Sequence, residues 1–218
     1  MIPRDASPEA ICARFDVSRE SMAGLEAYAA LLLKWQARIN LIGPATAGDF
    51  WHRHIADGLQ LLPILDREPG SKTIVDLGSG GGVPGLVIAI ARPQWNVHLV
   101  ESNNKKAAFL LEAARVAGRK IAIHGGRIEA LDVDKLGPVD WLTARALAPL
   151  PQLLELAFPL LKTGRGLFHK GQDVDVELTA ATKCWSIEFQ RYPSLIDVQS
   201  SILEISEVRR YHGNEPEA

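Results

Sequence analysis

Thr73-Ile74-Val75-Asp76-Leu77-Gly78-Ser79-Gly80-Gly81-Gly82-Val83-Pro84-Gly85 decides the fold. An apolar, β-branched run reads as a buried strand; it gives way to five glycines in eight residues, and Pro84 then stands where a helix begins. Glycine is required where the chain enters positive φ, or where backbone must approach a ligand without a Cβ in the way. A plain strand-to-helix turn has no need of so many, so this turn is expected to cradle a ligand.

Gly80 to Gly85 also satisfies a loose G-x-G-x-x-G pattern, which keeps a nicotinamide or flavin dinucleotide in view. Asp76 weighs against it. A carboxylate at the end of this strand opposes a pyrophosphate and favours a cation, by about 4 kcal/mol for unit charges ~4 Å apart at an effective dielectric near 20. S-adenosylmethionine, with an ammonium and a sulfonium, meets that condition. Glu101 closes the next strand, where a carboxylate can accept both ribose hydroxyls of an adenosine; its spacing fits either cofactor.

Outward from the turn, strands are expected at Thr73–Leu77, Val97–Glu101, Ile121–His124, Val139–Thr143, Gly166–Lys170, Ser186–Tyr192 and Ile202–Val208. Helices are expected near Pro84–Ala91, Lys105–Ala117, Leu150–Leu161 and Asp173–Lys183, an alternation that makes a mostly parallel sheet covered by helices. The last two strands have no helix-length gap between them and read as an edge hairpin. Before the break at Pro69-Gly70 the pattern is helical: a short helix capped by Ser7 with Pro8 in its first turn, a long one from Ser18 to Ile42, and a third over Thr46–Leu65. The organisation expected is a helical extension, 1–68, followed by an α/β domain, 69–218.

With 218 residues, 47% hydrophobic and mean hydropathy +0.01, the chain can bury a full core. Cys12 and Cys184 match no metal or redox spacing, and no apolar run approaches the ~20 residues of a membrane span, which suits a cytoplasmic protein free of metal and membrane. A net charge of −2 excludes indiscriminate coating of nucleic acid, so an RNA substrate needs a local basic face.

Further motifs accompany the turn: Lys34-Trp35-Gln36-Ala37-Arg38-Ile39-Asn40-Leu41, Arg53-His54-Ile55-Ala56-Asp57-Gly58, Glu101-Ser102 with Lys105-Lys106, Arg127-Ile128-Glu129 and Ala144-Arg145-Ala146. In this order and spacing the chain resembles, over nearly its whole length, the small-subunit ribosomal RNA guanine-N7 methyltransferases known as RsmG or GidB. The resemblance implies a class I methyltransferase fold, Rossmann-like, with a mostly parallel seven-stranded sheet and helices on both faces. It implies S-adenosylmethionine as cofactor, with contacts at Gly78, Val83, Ile128, Glu129 and Arg145, to which the residues add Asp76, Gly80 and Glu101.

The implied substrate is a guanine in the 530-loop region of 16S ribosomal RNA, free or in the small-subunit particle, acted on by a monomer. Guanine N7 already presents a lone pair, so no general base is demanded. Arg145, able to hydrogen-bond guanine O6 or a phosphate, is the candidate for positioning the base. Candidates for RNA contact are Arg53 and His54, Lys105 and Lys106, Lys170 and Arg209. Other readings left open are a methyltransferase for another RNA or a small molecule, a dehydrogenase, and an RNA-binding module without catalysis.

Overall fold

The computed structural model describes residues 1–212 and 215–216. Two serine-capped helices open the chain. In α1 (Pro8–Arg14) the Ser7 hydroxyl accepts from the Ala10 amide at 3.3 Å, and in α2 (Arg19–Gln36) Ser18 accepts from Ser21 at 3.1 Å. The helix expected to run on to Ile42 stops at Gln36. There the side chain takes over from the backbone: Gln36 Oε1 accepts from the amides of Leu41 and Ile42, and Nε2 donates to the Ile42 carbonyl.

The single helix expected over Thr46–Leu65 is likewise broken, into a 3₁₀ turn at Pro44–Asp49, a π turn at Trp51–Ala56, and the short α3 (Asp57–Leu59) and α4 (Leu62–Leu65). Pro63 has no amide to continue the ladder. Across the π turn, with its wider winding, the backbone brings His54 and Asp57 to the sheet.

The remainder alternates: β1 (Thr73–Leu77), α5 (Gly85–Ala91), β2 (Asn96–Glu101), α6 (Asn104–Val116), β3 (Ala122–Gly125), β4 (Trp141–Arg145), α7 (Leu150–Leu161), β5 (Arg165–Lys170), α8 (Val174–Ala181), β6 (Trp185–Pro193) and β7 (Ser201–His212). Sheet order is β3-β2-β1-β4-β5-β7-β6; the first five strands are parallel, and β7 runs antiparallel to both neighbours. A two-residue β8 (Glu215–Pro216) pairs with the end of β7. No helix joins β3 to β4, only 3₁₀ turns at Ile128–Ala130 and Val133–Leu136.

The fourth strand starts two residues later than expected. Asp140 still belongs to the approach, its carboxylate accepting from the Thr73 amide at 2.7 Å, and register begins with Ile74 opposite Trp141. Arg145 thereby becomes the last strand residue.

Alternation along the strands divides the core in two. Ile74, Leu99, Trp141 and Leu167 pack beneath the N-terminal helices, α5 and α6. Val75, Leu77, Leu142, Ala144 and Phe168 pack beneath α7 and α8. By the same period of two, Asp76, Thr143, Arg145 and His169 fall on the face covered by the helical extension. Among the described residues no helix is long and apolar enough to cross a membrane.

Candidate active site

The carboxyl ends of the parallel strands are where a fold of this kind gathers its ligands. Gly78, Gly80 and Gly82 all take positive φ, at 68°, 54° and 96°. A Cβ on Gly78 would meet the Leu147 side chain at 2.6 Å, and one on Gly82 the Leu86 side chain at 3.0 Å. The Tyr28 hydroxyl donates to the Gly81 carbonyl from inside the helical layer and fixes the turn from behind. A cleft of about 250 Å³ opens over it, bounded by Gly78, Gly80, Val83, Ile42, Lys106 and Arg145.

Glu101 is buried and reads backbone on both sides, accepting from the Gly80 amide at 2.8 Å and the Asn103 amide at 2.7 Å. It joins the glycine turn to the start of α6. Beside it, Val100, Gly126, Arg127 and Ala130 bound a hollow of about 210 Å³ at the ends of β2 and β3. Ile128 and Glu129 sit on the adjoining turn; Ile128 packs inward against the core and Glu129 is exposed.

Asp76 departs from the sequence expectation. It is only 1% exposed, and its carboxylate lies beneath the turn rather than at the cleft surface, facing Gly85 of α5. Oδ1 accepts from the Thr143 hydroxyl at 2.7 Å, while Oδ2 has no partner among the described residues. Burial pushes this carboxyl up to about 6, against the pull of the hydroxyl bond. Its charge therefore acts on the cleft through the turn, not by contact.

Arg145 stands at the junction of two clefts. It borders the cleft over the glycines and also a larger one, about 490 Å³, with Arg53, Lys170, Ser194 and Asp197. Nε pairs with Asp57 Oδ2 at 3.1 Å, and Nη1 lies 3.2 Å from His54 Nδ1. Arginine has only donors, so Nδ1 must accept and the proton resides on Nε2. That nitrogen donates to Thr46 Oγ1 at 2.8 Å, which donates onward to the Gly43 carbonyl at the same distance. Burial, reinforced by the neighbouring Arg145 charge, pushes His54 down to about 3, so it remains a neutral acceptor at any physiological pH.

Asp57 is itself held: Oδ1 accepts from Gln60 Nε2 at 2.5 Å, and His169 Nε2 meets the Asp57 carbonyl at 2.9 Å. Asp57 and His169 received no role from the sequence. One signal for His169 was available, since β4 and β5 are parallel neighbours and His169 is the register partner of Arg145.

The basic candidates scatter. Arg53 borders the larger cleft, paired with Asp197 at 3.1 Å. Lys170 borders it too, but is buried, paired with Glu177 and donating to the Ala148 carbonyl. Lys106 lines the cleft over the glycines, whereas Lys105 faces a separate groove. His54 is buried within the Arg145 network and borders the cleft over the glycine turn. Arg209, exposed and paired with Glu207 at 3.1 Å, lies eight residues along β7 from Ser201, roughly 25 Å from the cleft end of the sheet.

A sheet of this order with a glycine cradle at the β1 end defines the class I methyltransferase fold. Two solved structures share it: the ribosomal protein L11 methylase of Lactobacillus delbrueckii subsp. bulgaricus (TM-score 0.51, 21% identity, 74% of this chain and 80% of that one) and a MtNAS variant solved with S-adenosylmethionine (TM-score 0.54, 16% identity, 93% and 85%). The family model described as rRNA small subunit methyltransferase G matches residues 21–202. A relative from Rhodospirillum rubrum, named ribosomal RNA small subunit methyltransferase G, is 49% identical over 205 residues, covering 94% of this chain and 99% of its own length. The chain belongs to the GidB family, rRNA small subunit methyltransferase G.

Proposed function

We propose that this protein transfers the methyl group of S-adenosylmethionine to N7 of a guanine in 16S ribosomal RNA, in the 530-loop region, without a general base. The observation that carries the proposal is the position of Arg145, shared by the glycine-lined cleft and the larger cleft and locked by Asp57 and neutral His54. S-adenosylmethionine, when bound, supplies an electrophilic methyl on sulfur.

The residues fit that cofactor. The positive-φ glycines present bare backbone to the cleft, Glu101 lies under Gly80 where a ribose would approach, and Lys106 with Arg145 offers cations for a carboxylate. The ionised form of Asp76 adds a negative field beneath the turn. The turn that carries Ile128 and Glu129 adjoins the hollow beyond Glu101, a fitting place for an adenine.

For the acceptor, the larger cleft brings Arg53, Arg145 and Lys170 together with Asp57, Glu177 and Asp197, each cation with its carboxylate. Arg145 keeps donor capacity on the side away from His54, suited to guanine O6 next to N7. The carboxylates tolerate the positive charge that a guanine acquires when its N7 is alkylated. No residue need remove a proton before attack, and the work of the site is orientation, which can supply up to ~7–11 kcal/mol of a barrier.

Incubating the protein with methyl-labelled donor and small-subunit particles lacking the modification tests this. Label in 16S rRNA at a site cleaved by N7-methylguanine-specific chemistry is expected. Label at another atom, or none in RNA, overturns the proposal.

A further inference from the structure

Between the last turn of α2 and the first turns of α6 lies a groove of about 480 Å³ that belongs to neither cleft. Lys34, Trp35, Arg38 and Ile39 form one wall, with Lys105 and Ala108 opposite. Lys34, Arg38 and Lys105 are exposed, and among the described residues none has an ion-pair partner. That separates them from Arg53, Arg67, Arg92, Arg145 and Lys170, each of which has a carboxylate. Glu112, further along α6, is the one acid lining the groove.

Lys34 in the last turn of α2 and Arg38 just past its end place two like charges on one wall of the groove, a repulsion that a bound anion relieves. Trp35 sits among them half-buried, its ring edge-on to Phe109 at 5.7 Å and 61°, with the remainder lining the groove. The Asn103 cap at the start of α6 adds the positive end of a 13-residue helix.

The groove adjoins the donor-side cleft through both walls. Ile39 lines the groove and Leu41 and Ile42 the cleft; Lys105 lines the groove and Lys106 the cleft. An indole flanked by unpaired cations is the chemistry that takes a single-stranded nucleotide, stacking for the base and charge for the phosphates.

We infer that the α2–α6 groove, with Trp35 between Lys34, Arg38 and Lys105, binds an unpaired nucleotide of the substrate RNA away from the methylated base. The inference rests on ribosomal RNA being the substrate. It gives a chain of net charge −2 the local basic face its sequence calls for.

The double variant Lys34→Glu/Arg38→Glu in the full chain tests it, with KM and kcat on small-subunit particles and Kd for protein-free 16S rRNA. Expected are a rise of about tenfold in KM and Kd, kcat within about twofold, unchanged donor affinity, and a shallower dependence of binding on salt. Trp35→Leu, apolar toward Phe109, is expected to raise the RNA Kd by about fivefold or more. Arg14→Glu/Arg19→Glu, exposed cations at the other end of the helical layer, should leave both constants within about twofold.

Unchanged KM and Kd in the first variant overturn the inference, as does an equal rise in the control pair. An effect on particles alone overturns it in favour of a ribosomal protein as occupant. Wild-type protein that methylates no RNA sinks the functional reading and the groove's role with it; wild-type transfer with an indifferent groove sinks the inference alone.

Discussion

Arg145 owes its position to partners that fix two of its three nitrogens, and the partners are themselves fixed by Thr46, Gln60 and His169. Arg145→Ala is therefore expected to lower single-turnover methyl transfer by about 10²-fold or more with little change in thermal stability, a misplacement effect; an undiminished rate would remove the guanidinium from the reaction. His54→Leu should lower kcat through loss of the acceptor, and His54→Asn, whose amide oxygen falls near the Nδ1 position, should restore part of it. Equal rates for the two variants would contradict a hydrogen-bonding role. Asp76 gives a pH signature. Its carboxyl stands at about 6 in the folded chain against 3.8 ordinarily, so the folded state holds the proton more tightly than the unfolded one. Stability from this group is greatest below about pH 4 and is lost as pH rises through 6. The unfolding free energy of wild type minus that of Asp76→Asn should thus fall by roughly 2–3 kcal/mol between pH 4 and 7, and the variant should bind donor more weakly at pH 7. Denaturant titrations showing a flat difference would refute the buried charge. The sequence disclosed that an acid ends β1 but not that it points under the turn, because orientation follows from the pleat and from Thr143 opposite.

At the scale of elements, the strand–glycine–helix unit was readable because steric demands there are local. Gly85 shows how tight they are: a Cβ would lie 2.5 Å from Asp76 Cβ and from Leu99 Cδ2. Gly85→Ala should push α5 off the sheet, cost about 1–3 kcal/mol and weaken donor binding together, measured by thermal unfolding and calorimetry. Wild-type stability would contradict the packing. Helix ends resisted reading where side chains intervene: Gln36 terminates α2 by bonding Leu41 and Ile42, a tertiary substitute for a cap that periodicity does not reveal. The break of 44–65 into short turns has the same character, since the pull on His54 and Asp57 comes from Arg145, 91 residues from His54. β4 was misread by two residues because Val139 continues the apolar pattern although pairing begins at Trp141.

For the whole molecule, the helical extension and the sheet share one apolar layer, in which Leu25, Leu32, Ile55 and Leu59 pack with Leu86, Ile90 and Phe109. Residues 69–218 alone would expose that layer, and the extension also supplies His54 and Asp57 to Arg145. The fragment is expected to give no cooperative unfolding transition; a sharp one would show that the α/β part folds unaided. Composition gives the number of cations but not their pairing: which lysines are free is decided by neighbours far away in sequence, as Lys170 with Glu177 and Lys105 in the groove illustrate. Donor and acceptor are predicted to occupy adjoining clefts with Arg145 between them. A crystal structure with S-adenosylmethionine addresses it directly: the predicted result is methionine over Gly78–Gly82, ribose at Glu101 and the methyl turned toward Arg145 and the larger cleft. Adenosine lodged in the larger cleft, or a methyl turned away from it, would contradict the account.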